Sequence, residues 1–279
     1  MLLEVLDGPM LRNVREALLE DIGTGDITAA LIPETEVTDA AVISRETAIL
    51  CGMAWFNAVF AELDTGITVA WKCRDGDSIY PGQEICTLHG PAAQILTGER
   101  TALNFLQSLS GTATMARRYA DAVSGLKVKV LDTRKTIPGL RQAQKYAVRV
   151  GGCHNHRMGL FDGILIKENH IVSTGSIDRA VRAARLASPG IPVEVEVENE
   201  VQITEALEVG ADVLLLDNFT PEALISAVRI TAGRARLEAS GGVTLENIRT
   251  VARTGVDFIS IGALTKNLYA IDLSMRFKT

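Results

Sequence analysis

The chain has 279 residues, 47% of them hydrophobic, which is typical of one large α/β domain or two smaller ones and excludes a disordered protein. A formal net charge of −6 and a pI near 5.4 argue against nucleic acid as a partner, because nucleic-acid binders carry a broad positive surface. The sequence has no signal segment and no apolar stretch that could span a bilayer, so we expect a cytoplasmic protein that does not bind membranes.

The first part of the chain, to about Leu109, predicts a lobe that mixes helix and strand. Residues 11–20 have apolar side chains at helical spacing. From Asp39 onward, AAVISRETAIL, ITVAWKC and SIYPGQEICTL are typical of a small antiparallel sheet, with WFNAVFAEL as a helix between the first two. The four cysteines have no CxxC spacing and are consistent with reduced thiols: Cys51, Cys73, Cys86 and Cys153.

Residues 92–123 predict two helical stretches, QILTGERTALNFLQSLSG and TATMARRYADAV, joined or kinked near Gly111. Arg100 lies on the first stretch beside an apolar face. Its spacing alone favours a surface arginine in a salt bridge over a functional residue.

Residues 132–160 form a dense cationic segment, DTRKTIPGLRQAQKYAVRVGGCHNHRMGL. Against one acid, Asp132, it carries Arg134, Lys135, Arg141, Lys145, Arg149 and Arg157. Such a segment in an acidic protein repels itself unless an anion or buried carboxylates offset the charge, so we predict that it binds a multiply charged anion. The nearby Cys153, His154 and His156 are a weak metal signal, because the cations would oppose a metal ion.

After Gly125, short apolar runs alternate with helical patterns, which indicates βαβ units and a parallel sheet. The runs are VKVLD, GILIK, VEVEVE, DVLLLD, RLEASG and DFISIG. Their near-constant repeat favours a barrel, although an open doubly wound sheet would also satisfy it. In a barrel the carboxyl ends of the strands face one mouth, where active sites are built. Polar residues that follow these runs would therefore converge there.

The run VEVEVE places its valines on one face and Glu194, Glu196 and Glu198 on the other. Helices cover the outer face of such a strand, so the valines suit that face and the glutamates point inward. Buried carboxylates need basic partners or a divalent metal. Glu196, with Asp217 from the next strand, would suit Mg²⁺. For Glu194 and Glu198, pairing with basic residues inside the barrel explains the pattern equally well.

The last two strands end in EASGG and SIGAL, which predict a phosphate site. Small residues before helices offer backbone N–H groups to an anion, and barrels commonly bind phosphate in their last two loops. The residues concerned are Ser240, Gly241, Gly242 and Gly262. Lys135 and Lys167 could alternatively be the Schiff-base lysines of an aldolase, but that hypothesis does not explain the arginines of the cationic segment.

The sequence resembles the quinolinate phosphoribosyltransferase family from about Leu19 to Ser274. The resemblance is carried by LEDIGTGDIT, RTALNFLQSLSGTAT, DTRKTIPGLR, KYAVRVGGCHNHRMGL, LIKENHI, VEVEVE, LLLDN, EASGG and ISIGALT. It implies an N-terminal α/β sandwich lobe (1–110) and an incomplete (β/α) barrel (111–265) with its active site at the carboxyl ends of the strands. It leaves open whether residues of about 266–279 pack back on the lobe.

The resemblance implies a transferase, more narrowly a pentosyltransferase, that acts in NAD biosynthesis. Such an enzyme transfers the phosphoribosyl group of phosphoribosyl pyrophosphate to quinolinate, with decarboxylation, and gives nicotinate mononucleotide, pyrophosphate and CO₂. It would use Mg²⁺ and act as a homodimer with active sites at the subunit interface. The resemblance does not decide between a dimer and a hexamer made of three dimers.

The resemblance also implies roles for residues that match its motifs. Quinolinate would be bound by Arg100 of the partner subunit and by Arg134, Lys135, His156, Arg157 and Lys167. The catalytic residues would be Lys135, Lys167, Glu196 and Asp217, of which Glu196 and Asp217 also hold the ribose hydroxyls and Mg²⁺. The phosphates would be bound by Ser240, Gly241, Gly242, Gly262 and Lys266.

Three positions depart from the family pattern. Cys153 replaces the third glycine of GGG, Gln144 replaces a glutamate, and Lys266 stands where a histidine is common. None lies in the dicarboxylate clamp. Two rival hypotheses are the molybdenum-transport-associated homologue, which the motifs match less well, and a non-catalytic anion-binding protein, which would not require inward carboxylates beside the cations.

Overall fold

The structure is a computed structural model that describes residues 7–278. The first part of the chain contains α1 (Asp7–Ile22), a 3-10 turn (Ala29–Leu31), β1 (Val37–Ser44), β2 (Ala48–Ile49), α2 (Met53–Leu63), β3 (Thr68–Trp71), β4 (Ser78–Ile79), β5 (Glu84–Pro91) and α3 (Ala92–Ala122).

The remainder continues the alternation of strand and helix. It contains β6 (Lys129–Leu131), α4 (Arg141–Val150), β7 (Ile164–Ile166), α5 (Glu168–Thr174), α6 (Ile177–Ala187), β8 (Val193–Val197), α7 (Glu200–Glu208), β9 (Val213–Asp217), α8 (Pro221–Thr231), β10 (Arg236–Ser240), α9 (Ile248–Ala252), β11 (Phe258–Ser260), α10 (Ala263–Lys266) and β12 (Leu273–Phe277).

The chain forms two compact units, and neither is a single continuous segment. The first unit contains the chain up to Arg117, Thr136–Gly152 and the residues from Thr265 onward, and the second contains Arg118–Lys135 and Cys153–Leu264. These limits differ from the predicted 1–110 and 111–265 for two reasons. Helix α3 runs through the predicted boundary, and α4 contributes Ala143 and Ala147 to the hydrophobic core of the first unit.

The first unit is built on an antiparallel sheet in the order β12-β1-β5-β3, beside which β2 pairs with β4. Pairing of β12 with β1 runs from Ala40↔Phe277 to Ser44↔Leu273 and brings the C-terminal strand to the sheet edge. Helix α2 buries Trp55, Phe56 and Phe60, and the ring of Phe56 lies 5.2 Å from that of Trp71. The predicted strands and the intervening apolar helix are therefore confirmed.

Helix α3 is one continuous helix of 31 residues, so the predicted break or kink near Gly111 is wrong. Glycine is present there for a different reason. A Cβ atom at Gly111 would overlap the carbonyl oxygen of Tyr269, which belongs to the same unit. The residue permits a close backbone approach and does not end the helix.

The second unit is a parallel sheet of six strands in the order β6-β11-β10-β9-β8-β7. Strands β7 to β11 are neighbours in chain order, without the reversal that defines a doubly wound sheet, so the arrangement is an incomplete version of the eight-stranded barrel. The valines of β8, Val193, Val195 and Val197, are fully buried, and α6 and α7 contact this strand. The predicted orientation of β8, with valines toward helices, is confirmed.

Helix α9 is shorter than the pattern TLENIRTVARTG predicts and covers only Ile248–Ala252. Asn247 accepts a hydrogen bond from the Thr244 amide at 2.8 Å and donates to the Gly242 carbonyl at 3.0 Å, which holds the preceding residues in a turn. Within residues 7–278, no helix combines the length and the hydropathy that crossing a membrane requires.

Candidate active site

A cavity of about 450 Å³ lies at the carboxyl ends of the parallel strands in the second unit. This volume is in the range of small-molecule sites. Its lining residues are Thr133, Arg134, Lys135, His156, Arg157, Leu165, Lys167, Glu196, Leu215, Asp217, Glu238, Ser240 and Ser260. All the predicted quinolinate-binding and catalytic residues except Arg100 therefore meet in one cavity. We call it the strand-end cavity.

The cations on one side of the cavity come from both ends of the cationic segment. Arg134 and Lys135 follow β6, and a parallel bridge between Leu131 and His154 returns the chain beside that strand. Asp132 is fully buried between the two ends. Its carboxylate accepts hydrogen bonds from Asn155 Nδ2 at 2.5 Å and from the His156 amide at 2.9 Å. The only acid of the segment thus fixes the return loop.

Arg157 is held by its main chain and by its side chain. Its amide donates to His156 Nδ1 at 2.7 Å, and its Nη1 donates to the Gly163 carbonyl at 3.0 Å. Burial lowers the pKa of Arg157, the neighbouring Arg134 lowers it further, and Glu194 acts in the opposite direction. An arginine remains charged under these influences, so the cavity keeps a cation at this position.

Lys167 and Glu196 form an ion pair at 2.6 Å between Nζ and Oε2. Lys167 precedes α5, and its amide donates to His170 Nδ1 at 2.9 Å, so the motif LIKENH fixes the lysine main chain. The lysine side chain is 49% exposed and that of Glu196 is 17% exposed. An ion pair of this exposure adds little to stability, and we attribute its presence to the site rather than to the fold.

The three glutamates of the β8 region separate in the structure. Glu194 and Glu196 lie on the strand, whereas Glu198 follows its last residue and is exposed. The prediction that all three point into the barrel is therefore wrong for Glu198, because the strand ends at Val197. Asp217 closes β9 and accepts a hydrogen bond from Asn218 Nδ2 at 2.9 Å.

Glu238 and Ser260 also line the cavity, although neither was predicted from the sequence. Glu238 is 2% exposed, and its carboxyl lies 3.5 Å from His156 Nε2. Burial, and secondly the charge of Glu194, raise the pKa of Glu238 to about 8, while His156 and a hydrogen bond from Ser260 oppose the shift. The alternation that places Ser240 toward the strand-end cavity also places Glu238, two residues earlier, on that face. This signal was present in RLEAS.

The loop after β10 approaches the loop after β9 closely. Gly241 has a φ of +95°, and a Cβ atom there would overlap Oδ1 of Asn218. Gly242 has a φ of +62° and open space around it. Both glycines line a second cavity of about 360 Å³, and Ser240 lines this cavity as well as the strand-end cavity. Gly262 lies against Lys135, whose Cδ would be 3.1 Å from an added Cβ.

Arg100 and Lys266 belong to the first unit and do not line the strand-end cavity. Arg100 is exposed on α3, as its spacing predicts, but it forms no salt bridge with any residue between 7 and 278. Lys266 is exposed at the end of α10.

The departure at Gln144 has a local explanation in the first unit. The side chain is buried, its Oε1 accepts from the Ile137 amide at 2.8 Å, and its Nε2 donates to the Thr265 carbonyl at 2.8 Å. An ionised glutamate could accept the first hydrogen bond but could not donate the second. The amide therefore matches its surroundings here.

Sequence families match both parts of the chain. The family described as "Quinolinate phosphoribosyl transferase, C-terminal domain" matches residues 112–276, and the corresponding N-terminal domain family matches residues 26–110. A probable carboxylating nicotinate-nucleotide pyrophosphorylase of Bacillus subtilis is 44% identical over 258 residues, which cover 92% of this chain and 89% of the relative.

Solved structures agree with the sequence comparisons. The nicotinate-nucleotide pyrophosphorylase of Francisella tularensis is 49% identical, with a TM-score of 0.94, and the match covers 97% of this chain and 96% of the other. The corresponding protein of Ehrlichia chaffeensis is 38% identical, with a TM-score of 0.92 and coverage of 96% and 98%. These matches extend over both units of the fold.

Proposed function

The chain belongs to the quinolinate phosphoribosyltransferase family, and from this premise we propose that its strand-end cavity binds quinolinate together with phosphoribosyl pyrophosphate. The reaction is the transfer of the phosphoribosyl group to quinolinate with loss of CO₂, a step of NAD biosynthesis. One observation carries the assignment of the cavity: arginine and lysine side chains line it together with the carboxylates of Glu196 and Asp217.

The arginines suit the dicarboxylate substrate. A guanidinium group can donate two parallel hydrogen bonds to one carboxylate, and its planar fork discriminates in favour of planar anions. Arg134 and Arg157 both line the cavity, and we assign one carboxylate of quinolinate to this pair. Lys135 and Lys167 add positive charge, and His156 completes the clamp that the motifs predict.

The acids suit the phosphoribosyl donor. As pyrophosphate leaves, positive charge develops on the ribose, and carboxylates oriented in advance stabilise that charge. Glu196 and Asp217 come from adjacent strands, line the same cavity and are only partly buried. Carboxylate oxygens are the ligands that Mg²⁺ prefers, so these two residues fit the role of holding the ion with the substrate. Bound Mg²⁺ would offset the charge of the pyrophosphate group.

Decarboxylation of the adduct leaves an electron pair on the pyridine carbon, which a nearby cation stabilises. We assign this role to Lys135, because Gly262 leaves room for its side chain in the cavity. The phosphate of the product is assigned to Ser240, Gly241, Gly242 and Gly262. Backbone N–H groups in such glycine-rich turns bind anions.

The proposal extends to assembly and location. Arg100 is exposed and without an ion pair among residues 7–278, which is consistent with a contact to the active site of a second subunit in a homodimer. We also propose a cytoplasmic location, in agreement with the cysteine spacing of the sequence.

The proposed function is tested with purified protein, quinolinate, phosphoribosyl pyrophosphate and Mg²⁺. We expect release of CO₂ and formation of nicotinate mononucleotide in equal amounts. Removal of the metal by a chelator should abolish turnover and added Mg²⁺ should restore it. A folded protein that shows no turnover in this assay would contradict the proposal, and turnover that persists in the chelator would contradict its metal requirement.

A further inference from the structure

Next to Arg157 in the sequence, His156 forms a group with the buried side chains of Glu194 and Glu238, which we call the carboxyl–imidazole group. His156 Nε2 lies 3.0 Å from an oxygen of Glu194 and 3.5 Å from an oxygen of Glu238. The side chains of Glu194 and Glu238 are 9% and 2% exposed. The motif assignment gives a role only to the histidine, so the two glutamates require an explanation.

The hydrogen bonds of His156 determine which ring nitrogen carries the proton. Nδ1 accepts a hydrogen bond from the Arg157 amide at 2.7 Å, so it cannot itself be protonated. A neutral imidazole has one N–H, which must then be on Nε2, the atom that faces the two carboxyls. The ring proton is therefore directed toward Glu194 and Glu238.

The same tautomer argues against a metal ion, although the three side chains are close enough to hold one. A metal ligand needs a ring nitrogen without a proton, and here Nε2 carries the proton because Nδ1 accepts from an amide. Arg134 and Arg157 nearby would further oppose a cation. A hydrogen-bonding role explains the group better than coordination does.

The two carboxyls can both contact Nε2–H only if their mutual repulsion is relieved. One oxygen of each, Oε1, is buried without a hydrogen-bond partner among the residues that the structure describes. A proton on Glu238 relieves the repulsion, and the raised pKa of that residue agrees with this arrangement. Glu194 is then the charged acceptor of the His156 proton and a counter-charge for Arg157.

Arg157 depends on this group through its main chain. The His156 ring is fixed through Nε2 by the glutamates, and through Nδ1 it fixes the amide of Arg157. Rotation of the ring would break the amide hydrogen bond and release the main chain from which the guanidinium extends. A displacement of about 1 Å at a substrate-orienting residue can have large effects on binding and rate.

We propose that Glu194 and Glu238 are positioning residues for quinolinate binding, which act through the His156 ring to hold Arg157 in place. The inference rests on the proposed role of Arg157 in quinolinate binding. It adds a positioning role for His156, through its ring, to the place in the cavity that this residue already has.

The tautomer is tested directly by ¹⁵N NMR of the histidine ring in the native protein. We expect His156 to show a protonated Nε2 and an unprotonated Nδ1, both without ligand and with bound quinolinate. A ring protonated on Nδ1 in the free protein, or one that gains an Nδ1 proton when quinolinate binds, would overturn the inference. This measurement needs no variant and does not depend on activity.

The positioning role is tested by direct titration of quinolinate into Glu238→Met, Glu238→Gln and Arg157→Lys. We expect Glu238→Met to weaken binding by about 10- to 100-fold, the range that a displacement of about 1 Å at a substrate-orienting residue can produce. Glu238→Gln should recover most of the affinity, because its amide oxygen accepts from Nε2–H and its NH₂ group donates to Glu194. Arg236→Met, from the exposed start of the same strand, is the control and should bind normally.

The outcomes separate this inference from the proposed function. Normal binding by Arg157→Lys would contradict the proposed role of that arginine. Weak binding by Arg157→Lys together with normal binding by Glu238→Met would overturn the positioning role alone. If Glu238→Met does not fold, the affinity of Glu238→Gln is the deciding measurement. A strong loss of affinity in this variant, with the native tautomer of His156, would show that binding needs the charge or the acidic proton of Glu238. That result would also overturn the inference.

Discussion

At Gly241 the candidate site has no room for a side chain. Its φ of +95° disfavours any L-residue, and Oδ1 of Asn218 occupies the position of a Cβ atom. Asn218 is itself fixed, because its amide donates to the Ser240 carbonyl at 2.8 Å. Gly242 also has a positive φ but has open space around it. Substituting each glycine therefore distinguishes the effect of a steric overlap from the effect of the backbone conformation alone.

We predict that Gly241→Ala destabilises the protein more than Gly242→Ala. The second substitution should cost about 1–2 kcal/mol, the usual penalty for a left-handed L-residue. The first should cost this amount and additionally displace Asn218 from the end of β9. Chemical denaturation measures the two free energies of unfolding. Equal values for the two variants would contradict the close approach of the two loops.

Glu238 provides a prediction about pH. Burial raises its folded-state pKa to about 8, above the ordinary value of 4.5. Between these values the folded protein keeps a proton that the unfolded chain releases, so this residue's contribution to stability is complete below pH 4.5 and is lost as the pH rises toward 8. Glu238→Gln cannot titrate. The difference in unfolding free energy, native minus variant, should therefore fall as the pH rises through this window.

The comparison requires denaturation of both proteins at several pH values. Titrating groups far from Glu238 are common to the two proteins, so their contributions cancel in the difference. A difference that stays constant from acid to mildly alkaline pH would show that Glu238 does not hold the proton in the folded state.

Among the elements, α3 shows that a tertiary contact, and not the local helix, can determine which residue type a position needs. Its 31 residues continue through Gly111, where alanine would be the better helix former by about 1 kcal/mol. The sequence cannot reveal that the backbone at Tyr269, far along the chain, occupies the space above this glycine.

We predict that Gly111→Ala destabilises the first unit in spite of its higher helix propensity. The added methyl group must move either the backbone near Tyr269 or the helix, at a cost of about 1–3 kcal/mol for overpacking. Asn104→Ala, at an exposed position of the same helix, should instead leave stability unchanged or raise it by about 0.5 kcal/mol. Thermal unfolding of both variants is the measurement. A stabilised Gly111→Ala would contradict the observed approach.

Much of the parallel sheet and its site could be predicted because two simple rules apply there. Strand alternation predicted the direction of Glu194 and Glu196. The rule that the ends of parallel strands converge predicted that Lys135, Lys167 and Asp217 lie together, as they do in the cavity. Both rules also apply to Glu238, which was not predicted because a single glutamate in RLEAS is a weaker signal than three in VEVEVE.

Other features depend on contacts between distant parts of the chain, which no local pattern contains. Asp132 resembles an ordinary strand-end acid in the sequence, yet it fixes the loop 23 residues later through Asn155. Gln144 reaches the carbonyl of Thr265, and the tautomer of His156 depends on the amide that follows it. These relations appear only when the elements are assembled.

For the whole molecule, the main prediction concerns the contribution of Arg100 to a partner's active site. Arg100→Ala and Arg134→Ala homodimers should each be inactive. When the subunits are mixed and exchanged at random, half of the dimers carry both variants, and one site in each of these dimers lacks both substitutions. Activity should therefore recover to about one quarter of the native value.

The matched control mixes Arg134→Ala with Lys167→Ala, two residues that line the same cavity of one chain. Every site of such a hybrid keeps one defect, so no activity should return. Recovery in this control, or none with the Arg100 pair after exchange is verified by mass spectrometry, would contradict a site shared in the proposed way.

The division of the chain between the two units has a consequence for its synthesis. The first unit needs Thr136–Gly152 for its core and β12 for its sheet edge, so it cannot be complete until about residue 277 has left the ribosome. The second unit contains Arg134, which precedes the segment Thr136–Gly152, and Arg157, which follows it. Domains that are continuous in sequence can fold one after the other during translation, N-terminal first. In this chain the order is reversed, because the second unit is fully synthesised once Leu264 has been added, whereas the first unit still lacks β12. A fragment cut at Arg117 and Thr265 would keep α4 without the core in which Ala143 and Ala147 are buried.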